Sequence, residues 1–589
     1  MFRLPSIQTL SDQFVATVSR FKWVVLAALV KTVLFIWLSE TTFKQEAQRD
    51  WIVRILYVVN LSLPLALAIS LLSERRRWKP AAEFAAMGML VAVMAGYYFS
   101  MDDKASQIDF YRFTLFMLAA HLLVSFAAFT GFHEPNGFWQ FNKTLFLQIL
   151  NATLYAVTLY LGLLIAVETV RLLFNIHYEF KIEADLAAVI FALFHTIFFL
   201  SKIPPNLGAL EQQTDYPAGL KIFTQYVLLP LEVVYLLILY AYTGKIIVQW
   251  QLPEGGVTYL VLAFSIAGIL ALLLLFPLRE NQTERWVRLF SKRFYLALVP
   301  LIILFFTGIS RRIYDYGVTE NRYLVAVLAC WLAGITAYFL LSKKDDIRWI
   351  PVTLAVICVV LPVGPWNIFK VARESQLRQF DELVIRHHLL DTKGKIASSK
   401  TIPQEDYDRL FSIVQFFRNR EEIGLEKYFP GLKPLSKNRW EHYSGMEEYL
   451  SQHIKNSQTQ VNNNDSFNSF SFRLATPEEQ TVDVASFEHL MFFSVNNLRE
   501  MNTDSSIWKV VREENSKMLD VYHQQRKVVS FDLEKKMKEL AAYQGKTSEE
   551  VPANKLIFDF SDDKNRIRIV LNSLSRSGNM YYAEGFLLY

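Results

Sequence analysis

The chain has 589 residues, 52% of them hydrophobic and 20% charged, with a formal net charge of +5. That charge is too small and too scattered to form a nucleic-acid footprint. The only two cysteines, Cys330 and Cys358, both fall in apolar stretches, which excludes a disulfide framework or a zinc-type spacing elsewhere. The average conceals two unlike parts. Nearly all long apolar runs precede Trp366, and the remainder has the composition of an ordinary soluble protein.

Residues 1–22 read as a short cytoplasmic N-terminus. The first apolar run begins near Trp23 and has no small-residue cleavage site after it, so it is expected to stay as an anchor. Eleven spans follow from apolar runs near the ~20 residues that a helix needs to cross ~30 Å of hydrocarbon. They are Trp23–Ser39, Ile55–Leu72, Ala81–Phe99, Phe113–Gly131, Leu145–Val167, Leu186–Leu200, Ile222–Tyr242, Tyr259–Leu278, Phe294–Ile309, Tyr323–Leu341 and Ile350–Val363. The seventh and eighth form a hairpin about Pro253, Gly255 and Gly256.

Lys and Arg recur in alternate loops, at Arg20 and Lys22, Arg75 to Lys79, Arg279 to Arg293, and Lys343 to Arg348. The positive-inside rule places those loops in the cytoplasm, and an odd number of spans then puts the C-terminal part outside it. The fourth and tenth spans match in register at Arg112/Arg322, Leu118/Leu328, Ala119/Ala329, Leu122/Leu332, Ala127/Ala337 and Phe129/Phe339. A parallel repeat of about six spans is one reading, and the shared composition of apolar helices is the other.

After Trp366, Phe369–Leu390 reads as a helix with Leu377, Phe380, Val384 and His387 on one stripe. Thr401 with Gln404 resembles a capping box for a second helix, which lines up Tyr407, Leu410, Phe411, Val414 and Phe417. Asn456–Asp465 is a polar linker. The period then becomes two. Phe470, Phe472 and Leu474 alternate with polar residues. Ile507–Val511 and Met518–Tyr522 form one hairpin, and Leu556–Phe560 and Arg566–Leu571 a second. A short helix is expected over Phe531–Tyr543 and a last strand over Tyr581–Tyr589. The expected fold is therefore an α-helical polytopic membrane bundle of 23–366 followed by a soluble, extracytoplasmic α+β domain of 367–589 with a mainly antiparallel sheet.

Four stretches carry a resemblance: GFWQFNK at Gly137–Lys143, YPAGLKIFTQYVLLPL at Tyr216–Leu231, YGVTENRY at Tyr316–Tyr323 and GPW at Gly364–Trp366. With them the chain resembles an uncharacterised family of bacterial polytopic membrane proteins known only as a domain of unknown function. The resemblance implies a multi-pass protein of the bacterial inner membrane and implies no activity. Glu232 departs from the family pattern, which has an apolar residue there.

Ionisable residues inside spans are the first functional candidates. A charge at the bilayer centre costs at least ~2.5–3.5 kcal/mol on insertion scales, so it faces protein or water. These residues are Lys31, His121, His195 and Glu232, the last two positions after Pro230. Together they would line a polar path. Separately, they snorkel, pair, as Lys31 with Glu232 would, or hydrogen-bond across helices.

The second candidate is the loop cluster Arg311, Arg312, Tyr316, Thr319, Glu320 and Arg322. It suits either a lipid headgroup or a helix cap with Thr319 as N-cap. The third is GFWQFNK, where Phe138 and Trp139 suit an interfacial belt and Lys143 the phosphate zone.

There is no phosphate-binding glycine loop, HExxH, GxSxG or EF-hand motif, and no cofactor is expected. His387 and His388 lack carboxylates at a metal-binding spacing. The expected partners are the bilayer and an envelope protein or lipid headgroup. Three readings stay open: an anchor presenting a partner-binding domain, a transporter or channel, and an enzyme acting on envelope substrates.

Overall fold

The computed structural model describes residues 7–41, 46–174, 181–249, 256–279, 284–342, 346–364, 366–392, 394–396, 400–420, 424–429, 446, 449–450, 454–456, 470–474, 487–495, 508–511, 517–524, 526–540, 548–551, 555–562, 565–577 and 580–589. The linker after Asn456, the turn at 513–516 and the loop residues Pro253, Gly255, Lys343 and Lys344 lie outside them. The chain divides into two compact units, one of residues 1–398 with 408–453 and one of 399–407 with 454–589.

The first unit is helical. An N-terminal helix α1 (Ile7–Arg20) leads into ten helices long and apolar enough to span a bilayer. These are α2 (Lys22–Glu40), α3 (Glu46–Arg76), α4 (Pro80–Phe99), α5 (Gln107–Phe126), α6 (Pro135–Phe174), α7 (Ile182–Leu200), α8 (Ala218–Gln249), α9 (Gly256–Leu278), α10 (Arg285–Tyr316) and α11 (Glu320–Leu341). Local chemistry sets several starts. Pro80 occupies the first turn of α4, where its missing N–H is no loss. On α5, the Ser106 hydroxyl accepts from the Asp109 N–H and the Asp109 carboxylate accepts from the Ser106 N–H, a capping box. Large apolar side chains such as Leu172, Val248 and Leu341 remain exposed around the bundle, the surface expected where lipid is the solvent.

The eleventh span departs from expectation. Its helix, α12 (Trp349–Val360), has 12 residues, about 18 Å at 1.5 Å per residue, too short to cross alone. The chain nevertheless runs from one end of the bundle to the other. At one end Arg348 donates to the Phe129 carbonyl. Midway, Trp331 Nε1 of α11 donates to Thr353 Oγ1 at 2.9 Å. Past the turn at 361–364, the Trp366 carbonyl accepts from the Tyr323 hydroxyl in the first turn of α11. Packing against α5 and α11 lets a short helix plus a turn return the chain to the opposite end. The end holding Arg20, Glu74 and Arg348 is rich in Arg and Lys, and we call it the basic end.

Two further helices, α13 (Ile368–Arg386) and α14 (Gln404–Arg420), follow. They bury Phe380, Leu383 and Val384 and, on α14, Leu410, Val414 and Phe417. Tyr407 and Phe411 are only half-buried.

The second unit holds all the described strands. β1 (Lys400–Ile402) pairs in parallel with β2 (Ile454–Asn456). The main sheet comprises β3 (Phe470–Leu474), β4 (Leu490–Val495), β8 (Ser548–Val551), β9 (Ile557–Asp562), β10 (Asn565–Ser577) and β11 (Met580–Leu588). Its order is β4-β11-β10-β3-β8, and β9 also pairs with β10. The 13-residue β10 holds it together, because its first half pairs with β9 and its second half with β3 while β11 runs along its other edge.

A three-stranded antiparallel sheet, β5 (Trp508–Val511), β6 (Met518–His523) and β7 (Arg526–Asp532), completes the unit. Both expected hairpins are present, with Val511 opposite Asp520 and Arg566 opposite Ser561. The expected helix is shorter. Phe531 and Asp532 end β7, and α15 runs over Leu533–Leu540. Leu519, Val521, Leu533, Ile569, Leu571 and Leu587 form the core.

Candidate functional site

Among the candidate ionisable residues, Glu232 stands in the most distinctive surroundings. It follows a wide turn of α8, Phe223–Leu228, in which the Leu229 N–H reaches the Thr224 carbonyl five residues back. Pro230 has no N–H to donate, and such a wide turn is one way a membrane helix absorbs that loss. Two residues on, Glu232 is only 3% exposed, and its Oε2 has no hydrogen-bond partner. A methyl group built on Gly268 of α9 would sit 3.1 Å from that oxygen and collide with the Phe294 ring. Gly268 therefore lets α10 press Phe294 beneath the carboxylate.

Glu232 lines a cavity of about 940 Å³ between α8 and α10, within the range of small-molecule sites (about 300–1,000 Å³). Leu229, Val233, Leu236, Phe264, Phe290 and Ala297 give it apolar walls. Tyr226, Trp286 and Leu289 line it too and are well exposed on the outer faces of their helices, so the opening is lateral. The polar rim is uneven. Glu284 pairs with Lys221 at 2.5 Å and accepts from Gln225 at 3.0 Å. The Lys221 hydrogen bond holds its carboxyl below the ordinary glutamate value. Arg285 and Arg293 also line the cavity, are exposed, and form no ion pair among the described residues.

The other ionisable residues lie elsewhere. Lys31 is half-buried on α2, with its ammonium 5.8 Å from the Phe35 ring centre. It forms no ion pair among the described residues, so the Lys31–Glu232 pair is not formed. His195 Nε2 lies 3.2 Å from Thr153 Oγ1, directly after a second wide turn, Val189–Phe194. His121 Nδ1 meets the Met117 carbonyl of its own helix at 2.8 Å. None of Lys31, His121 and His195 lines the cavity at Glu232. The wide turns escape sequence reading because FTQYVL and VIFALF carry no period that marks them.

The loop cluster is a joint. Glu320 is 2% exposed and takes both Arg420 Nε, at 2.6 Å, and Nη2, at 2.5 Å, from α14. Arg322 donates to the carbonyls of Tyr316 and Gly317 at 2.9 Å each. The Gln376 amide of α13 donates to the Tyr316 and Val318 carbonyls, and Ser375 Oγ accepts from the Val318 N–H. The guanidinium groups of Arg322 and Arg409 both lie over the Tyr316 ring. Arg311 pairs with Asp315 at 3.6 Å, and the half-buried Arg312 lies near Arg322. Thr319 occupies the N-cap position of α11, yet its side chain makes no capping bond. Sequence reasoning missed Arg420, which no local pattern ties to Glu320.

Phe138 and Trp139 are buried, at 3% and 4% exposure, rather than placed in an interfacial belt. They belong to the first turns of α6, which extend well beyond one bilayer thickness. Trp139 stacks on Tyr216 and donates to the Leu273 carbonyl at 2.6 Å, while Lys143 donates to the Asp215 carbonyl. Thus two of the four quoted stretches, GFWQFNK and the one beginning at Tyr216, pack against each other. Among the described residues no group of His, Cys, Asp and Glu could hold a metal ion.

A bundle of ten long apolar helices with a C-terminal region of antiparallel sheets defines a multi-pass membrane protein. Residues 25–393 match the family described as "Domain of unknown function (DUF4153)", and the chain belongs to that family. It is 24% identical over 487 residues to "Uncharacterized protein PM1469" of Pasteurella multocida (strain Pm70), covering 80% of each chain. No solved structure matches.

Proposed function

We propose that the protein engages a lipid laterally, through the groove between α8 and α10. Glu232 carries this reading. An unpaired carboxylate withdrawn from water is expensive, and native structures satisfy nearly all such groups, so an exception points to a ligand. Apolar walls and a lateral opening suit an amphiphile. Lys31, His121 and His195 stand outside the groove, so the reading is binding rather than conduction. The basic end faces the cytoplasm of a bacterial inner membrane, and the C-terminal unit is extracytoplasmic.

The test is lipid retention by the purified protein in native mass spectrometry, comparing wild type with Ala297→Trp, which fills the groove. Wild type is expected to keep lipid that the variant loses. Equal retention by both sinks the proposal.

A second reading, partner binding by the C-terminal unit, is favoured by β4. Among the described residues this strand is paired only on its β11 side, and it exposes Leu490 and Phe492. A photoreactive residue at 490 in intact cells should capture an envelope protein. Absence of any adduct argues against it.

A further inference from the structure

We infer that the groove selects a phospholipid whose headgroup carries a primary ammonium beside its phosphate. This deepens the lateral-groove reading and rests on it. The argument starts from height along the helices. Gln225 meets Glu284, and the Tyr240 hydroxyl donates to the Ala297 carbonyl, so α8 and α10 run side by side in the same direction. Glu232 lies seven residues beyond Gln225, about 10 Å along the axis, which sets it level with residues near 291 of α10.

The polar boundary of the helix follows directly, between Arg293 and Phe294. Arg285, Arg288, Lys292 and Arg293 precede it, and the sequence is apolar from Phe294 to Ile309. Glu232 and Arg293 therefore flank one groove at headgroup depth. Val233, Leu236 and Ala297 continue the walls toward the hydrocarbon, where acyl chains would lie.

The charges then select the headgroup. Arg285 and Arg293 offer guanidinium donors to a phosphate. Glu284, the other carboxylate on the wall, is already neutralised by Lys221. Glu232 is left as the one wall carboxylate with no protein partner; its Oε2 is closed off against Gly268 and Phe294, so its other oxygen is the one that can meet a headgroup donor. A primary ammonium supplies both the opposite charge and N–H donors. A trimethylammonium supplies charge without donors, and a glycerol headgroup brings no cation to Glu232.

The experiment titrates the delipidated full-length protein in detergent with phosphatidylethanolamine, phosphatidylcholine and phosphatidylglycerol of identical acyl chains, read by native mass spectrometry. Wild type is expected to bind the ethanolamine lipid roughly tenfold more tightly than the choline lipid, the scale of one charge-assisted hydrogen bond. Glu232→Gln should bring the two within about twofold, while Arg293→Gln should weaken all three lipids together, because each carries the phosphate.

Equal binding of the ethanolamine and choline lipids by wild type, or preference for the glycerol lipid, overturns the headgroup inference and leaves lateral lipid binding standing. So does a preference that survives in Glu232→Gln. If none of the three binds wild type more than Ala297→Trp, both fall. The wild-type comparison decides the matter even if a variant fails to fold.

Discussion

Two glutamates in the helical unit are almost equally buried and differ in everything else. Glu320, 2% exposed, takes two short hydrogen bonds from Arg420, whose side chain is 9% exposed. Glu232, 3% exposed, has an oxygen with no partner and a cavity beside it. Burial alone therefore does not distinguish a joint from a binding site. A buried ion pair with good geometry holds elements in one arrangement, and its value lies in the completeness of the pairing. An unpaired buried carboxylate is a standing cost that a ligand can relieve.

The sharpest way to break this contrast is Arg420→Ala. It strands a buried carboxylate, and the expected loss is about 3–5 kcal/mol of stability, seen as a marked fall in unfolding midpoint in detergent. A shift no larger than that of an exposed Arg substitution would show that the pair is not a joint.

Gly317→Ala strikes the same joint through the backbone. Gly317 has φ 70° and ψ −178°, a region essentially reserved for glycine, and an added methyl would meet Gln379 at 2.8 Å. The expected cost is about 1–3 kcal/mol. An unchanged midpoint would mean that the turn can relax.

An exposed pair is the next comparison. Asp559 takes the Arg568 guanidinium at 2.6 Å, and that hydrogen bond lowers its pKa. A lowered carboxyl pKa adds stability above the unfolded value, and this stability is lost as pH falls through the folded value. Asp559→Asn should therefore destabilise at neutral pH by less than about 1 kcal/mol, and its difference from wild type should vanish in acid. A difference that grows on acidification contradicts the assignment.

Glu232→Gln is expected to change stability least, by no more than about 1 kcal/mol and in the stabilising direction if in either, because it removes a desolvated charge that had no partner. A loss as large as that of Arg420→Ala would make Glu232 a structural residue and remove the distinction.

The sequence alone settled where the membrane part lies, because hydrocarbon admits only long apolar helices and each run must match a fixed thickness. It also exposed Glu232 as a charge inside an apolar run and Glu320 as one of a cluster of polar residues in a short loop. The alternating strands and both hairpins were legible for a similar reason, since a sheet with one buried face imposes a period of two. Tertiary structure decided which oddity was matched. Arg420 is 100 residues from Glu320, and Glu232 is backed by Gly268 and Phe294 from two other helices. It also decided that a 12-residue helix could carry the chain from one end of the bundle to the other, because α5 and α11 shelter its short length. Pairing, cavities and shared crossings arise where helices distant in the chain touch, and no local pattern of residues encodes which neighbour each one meets.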